Sequence, residues 1–99
     1  MQGMLELDEV TRIATEVAKS ILPPGSLVRV ESALALDPDW RDALQFTMVI
    51  AAELADQVTG DHAVAFLDQI WDRLQDAGDD RVPTIEYTTE AELAEIDDP

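Results

Sequence analysis

At 99 residues the chain has room for one core and one domain, a size that typically buries roughly 65% of the surface its unfolded form exposes. Its 22 acidic residues stand against six basic ones, a net charge of -16, and Arg12, Lys19, Arg29, Arg41, Arg73 and Arg81 are scattered singly, so the sequence lacks the basic cluster that releases counterions from nucleic acid and repels anionic lipid. Without cysteine there are no disulfides, thiolate metal sites or thiol nucleophiles.

The apolar content of 46% predicts a folded chain rather than an acidic tail. Met1 to Glu9 carries three acids and no base, the wrong sign for a secretory leader, and no apolar run approaches the ~18 residues of a membrane span. The sequence thus predicts a cytoplasmic domain spanning residues 1–99, with an acidic C-terminal segment over 88–99.

From Asp8 to Ile21, Val10, Ile13, Ala14, Val17, Ala18 and Ile21 recur at helical spacing, acids lead, Lys19 trails, and Pro23, Pro24 and Gly25 end the helix. The period then becomes two. Val28, Val30, Leu34 and Leu36 predict one apolar strand face, and Leu44, Phe46, Met48, Ile50 and Ala52 a second. Asp37-Pro38-Asp39 supplies turn chemistry between them, which predicts an antiparallel hairpin. Glu53 to Val58 reads either as the strand's end or as a short turn.

Thr59, Gly60 and Asp61 signal a second helix with a stripe of Ala63, Phe66, Leu67, Ile70, Trp71, Leu74 and Ala77, capped by Gly78. Asp68, Asp72 and Asp76 line its other face at four-residue spacing, where like charges cost a little helix stability. Asp79 to Arg81 reads as a polar connection. Val82, Ile85 and Tyr87 then predict a third strand with Pro83 at its start or on an edge. Thr89-Glu90-Ala91-Glu92 has capping-box form, and Leu93 and Ile96 would dock a short terminal helix. The expected fold is α+β: a two-layer α-β-β-α-β(-α) sandwich, with two helices on one face of a three-stranded, mainly antiparallel sheet. The second helix could return the chain beside either earlier strand.

No catalytic or cofactor-binding constellation emerges, and the expectation is a protein that is not an enzyme. Gly25-Ser26 with Asp37-Pro38-Asp39 superficially matches nucleotidyltransferases, but a helix precedes the Gly-Ser pair and Pro38 puts the carboxylates in a loop. Asp37, Asp39 and Asp42 could hold a hard cation and so support a small metal-dependent enzyme, the alternative function; they lack the glycine and distal glutamate of an EF-hand, and solvated turn carboxylates fit better. The lone histidine, His62, reads as a surface residue. Glu90 with Glu92, and Asp97 with Asp98, read as solvated. Trp71 falls on the core stripe of its helix. Trp40 with Arg41 in the hairpin connection is either a partner-binding anchor, since tryptophan and arginine are enriched in interface hot spots, or an aromatic folded over the sheet's end.

The acidity fits either solvation, as in a high-salt host, or steering toward a basic protein. The functional expectation is a non-catalytic interaction or regulatory module, antitoxin- or inhibitor-like, binding a basic protein partner through Trp40, Arg41, Asp68, Asp72 and Asp76. A homodimer through the free sheet edge, or through a second sheet face bearing Ala33, Ala35 and Val49, is the remaining alternative. The element order resembles type II KH domains and the ribosome-binding factor A family, yet their basic surface and glycine-containing kink are absent here, so RNA binding is not carried over. Residues Gly78 to Tyr87, with the hairpin around Asp37 to Ile50, also resemble a group of small bacterial proteins with no assigned activity, which tend to accompany larger partners of toxin or defence type.

Overall fold

A computed structural model describes residues 5–36 and 38–92. Helix α1 spans Leu7–Ile21, strand β1 Leu27–Leu36, strand β2 Asp42–Ile50, helix α2 Gly60–Asp76 and strand β3 Val82–Thr89, with a 3-10 turn over Ala52–Gln57. That turn settles the ambiguous stretch after β2. The sheet order is β1-β2-β3, with β1 antiparallel and β3 parallel to β2, so half of its pairing is parallel. The α+β class expected from the sequence is therefore the one the chain adopts, with a mixed sheet. Parallel pairing follows from the crossover: α2 carries the chain back to the end where β2 began, and Ala43 lies opposite Val82.

One parity of β2 builds the core. Leu44, Phe46, Met48 and Ile50 join Val10, Ile13, Ala14, Val17 and Ala18 of α1 and Phe66, Ile70 and Leu74 of α2 in a single buried cluster. Phe46 and Phe66 meet edge to face, their centroids 5.5 Å apart. Thr11 donates a hydrogen bond from its hydroxyl to Ser32 Oγ at 2.9 Å, fixing α1 over β1, and Glu16 binds Arg73 at 3.0 Å between the helices.

Two stripes are narrower than their periodicity suggests. In α2 the fully buried positions are Phe66, Ile70 and Leu74, while Trp71 on the flank stays 42% exposed, so the expected core placement of Trp71 does not hold. In β1 only Val30 is buried of the four expected; Leu34 and Leu36 are exposed. Position at the sheet's edge sets the difference: Leu34 pairs with Leu44, which is fully buried on the central strand.

The connections carry the remaining specificity. Pro23-Pro24-Gly25-Ser26 forms a tight turn with Gly25 at φ 80° and Ser26 N–H donating to Pro23 O at 3.1 Å. Helix α2 ends in a Schellman motif: Asp79 N–H reaches Leu74 O at 2.9 Å and Gly78 N–H reaches Gln75 O at 3.0 Å, with Gly78 at φ 81°. A Cβ at Gly78 would meet nothing within 4 Å, so Gly78→Ala isolates the backbone cost of the left-handed conformation. The expected loss is about 1 kcal/mol, read as a lower urea midpoint with an unchanged slope.

Candidate functional site

The end of the sheet where β1 passes to β2 and β3 begins gathers the features that packing does not explain. Residues 37–41 connect the hairpin, and Trp40 sits there at φ 66°, a left-handed conformation normally left to glycine or asparagine. It is 79% exposed, the most exposed of the large apolar residues among those described. Trp40 therefore does not fold over the sheet's end. An indole gains most by burial, and here it points into solvent.

Beside it lies an open cavity of about 430 Å³ lined by Trp40, Arg41, Asp42, Asp80, Arg81 and Val82. The sheet builds this grouping: parallel pairing sets Val82, the first residue of β3, against Ala43, the second of β2, so the connection before β3 arrives beside the hairpin. A second, adjoining cavity of about 230 Å³ is lined by Leu34, Ala35, Asp42, Ala43 and Arg81.

The stretch expected to be a polar connection, Asp79 to Arg81, holds a buried ion pair. Asp79 is fully buried and Arg81 nearly so. Arg81 Nη2 approaches Asp79 Oδ2 at 2.6 Å and also donates to Leu5 O at 2.7 Å, while Asp79 Oδ2 accepts from Leu5 N–H at 3.1 Å. The pair thus ties Leu5, two residues before α1, to the loop after α2. Burial alone would raise the Asp79 pKa, but the Arg81 guanidinium, the Arg81 and Leu5 backbone N–H groups and the Arg81 charge together hold it below the usual carboxylate range. Arg81 is raised, first by its hydrogen bonds to Asp79, with Asp42 and Asp80 adding to the effect through their charge. The sequence signal was present: an acid and a base two residues apart directly after a capping glycine.

Of the residues expected to bind a partner, Trp40 and Arg41 come together. Asp68, Asp72 and Asp76 are exposed on α2 but line neither cavity. Asp76 is nearest along the chain to the Asp79–Arg81 loop, whereas Asp68 lies about 12 Å further along the helix. Asp37 lies outside the described residues, as do Leu93, Ile96, Asp97 and Asp98; among the described residues no group of three or more acidic or histidine side chains is placed to share a metal. Gly25-Ser26 sits at the opposite end of β1 from Pro38-Asp39, which separates the two halves of the nucleotidyltransferase-like pattern.

His62, half-buried in the first turn of α2, has a capping role. Its Nδ1 accepts from Thr59 N–H at 3.0 Å, completing the capping box of α2. The matching box at Thr89 forms as expected, Thr89 N–H donating to Glu92 Oε1 and Glu92 N–H to Thr89 Oγ1, each at 3.1 Å. On the sheet's second face Ala33 is exposed, Ala35 half-buried and Val49 buried. Among the described residues no helix is long and apolar enough to cross a membrane. Searches of protein-family models, curated proteins and solved structures find no match to this chain, so the functional reading rests on the chemistry of this end of the sheet.

Proposed function

We propose that the chain is a non-catalytic interaction module that binds a basic protein through the hairpin end of its sheet, with Trp40 as the anchor. The observation that carries this reading is a bulky aromatic kept in solvent at a backbone conformation that disfavours it; strain of this kind is retained where the exposed group has a task. Arg41, Asp42 and Asp80 beside it supply the polar rim that such an anchor needs. The net charge of -16 would speed encounter with a basic partner and make the association salt-sensitive.

Capture of partners from the host's lysate by the tagged full chain, at low and high salt, tests this directly. The expected result is a stoichiometric basic protein whose capture weakens as salt rises. Loss of salt dependence, or capture unchanged by truncation of Trp40, would contradict the proposal.

A further inference from the structure

Strand β1 is an edge strand ten residues long, with β2 on one side and, among the described residues, no strand on the other. An uncovered edge presents a row of backbone N–H and C=O groups ready to accept another strand, and natural proteins blunt such edges with lysine, proline or cover. β1 has no lysine and no proline, and Val28, Leu34 and Leu36 are exposed along it at 40%, 64% and 55%. A register shift at Val28 is its one irregularity.

Charge says what fits there. The chain carries a net charge of -16, yet β1 holds only Arg29 and Glu31, which bind each other at 2.8 Å, so the strand is neutral while α1, β2, α2 and β3 each carry net negative charge. The repulsion that keeps two copies apart is therefore weakest along β1. A basic partner would gain nothing from its charge at this edge; a second neutral strand loses nothing.

We propose that β1 pairs with β1 of a second copy in a two-fold antiparallel arrangement, joining two three-stranded sheets into one of six. Same-face residues must oppose one another across the two-fold axis, so the register is centred on a single residue. Centring on Ser32 or on Glu31 gives the longest overlap, and centring on Ser32 sets Leu34 opposite Val30 of the second copy, and Leu36 opposite its Val28. The exposed leucines then gain apolar cross-strand neighbours, and Glu31 and Arg29 face Ala33 and Ala35. Centring on Glu31 would oppose two carboxylates directly, which cross-strand pairing penalises.

Sedimentation of the full chain over a concentration series, at low and at physiological salt, tests this. The expected result is a species of twice the 10.9 kDa chain mass, favoured by salt. Leu34→Lys should keep the fold, because Leu34 is already largely in solvent, while raising the dimer dissociation constant about tenfold or more. Amide exchange in β1 should slow as wild-type concentration rises. A monomer at every concentration, a dimer indifferent to Leu34→Lys at unchanged melting temperature, or a dimer with unprotected β1 amides would each overturn the proposal. Because Trp40 lies outside β1, Trp40→Gly should leave the dimer intact, which separates this edge from the anchor.

Discussion

Replacing Arg81 by methionine is expected to cost about 3–5 kcal/mol of stability, because it keeps much of the side-chain volume and leaves Asp79 buried without its counter-charge. For a domain of this size that lowers the melting temperature by on the order of 15 °C or more. The loss has two parts: the carboxylate loses the guanidinium hydrogen bonds, and Leu5 O loses its donor. Pairing the change with Asp79→Leu should recover a good part of the loss, since the unpaired charge is then gone, though Leu5 N–H remains without its acceptor.

The pH dependence has a definite direction. In the wild type the Asp79 pKa is lowered in the folded state, so the pair's contribution is fully present above the ordinary Asp value of about 3.9 and is lost as pH falls through the lowered folded value. In Arg81→Met burial is opposed only by the backbone N–H groups of residue 81 and Leu5, so that pKa lies above the wild type's and the gap between the two proteins narrows as the carboxyl takes up its proton. Melting curves of the two proteins should therefore converge on acidification from neutral pH. A gap that stays constant would show that Asp79 is not the charge at stake.

Trp40→Gly is expected to leave the fold at least as stable as the wild type while weakening the partner complex by about 2 kcal/mol or more. Left-handed backbone costs a non-glycine residue roughly 1–2 kcal/mol, and a residue 79% exposed returns little of it by burial. Glycine relieves that cost and takes back part of it through its freer unfolded chain. Equilibrium unfolding should give a midpoint equal to or above the wild type. A marked fall would assign Trp40 a structural role and remove the argument for an anchor.

Much of the fold could be read from local patterns, because caps and periodicity act over a few residues. The stripe from Val10 to Ala18, the alternation from Leu44 to Ile50, Gly78 and the Thr59 start signal all appear where the sequence puts them. What depends on tertiary placement was not legible. Periodicity marks Leu34 and Leu36 as apolar but does not show that β1 is an edge strand, and it cannot tell the flank of α2 bearing Trp71 from its centre. The parallel return of β3 depends on which strand α2 delivers it to. For the candidate site, Trp40 and Arg41 stood out by residue type, whereas the Asp79–Arg81–Leu5 contact joins residues more than seventy positions apart. The acidic row on α2 drew notice through its regular spacing, and the cavities lie elsewhere.

The most direct measurement is a side-by-side capture from host lysate with wild type and Trp40→Gly, each first shown to melt at the same temperature or higher. The account predicts that the wild type retains a stoichiometric basic protein and that Trp40→Gly loses it at the same salt. Equal capture by both proteins would contradict the central claim that the hairpin end of the sheet is the binding surface.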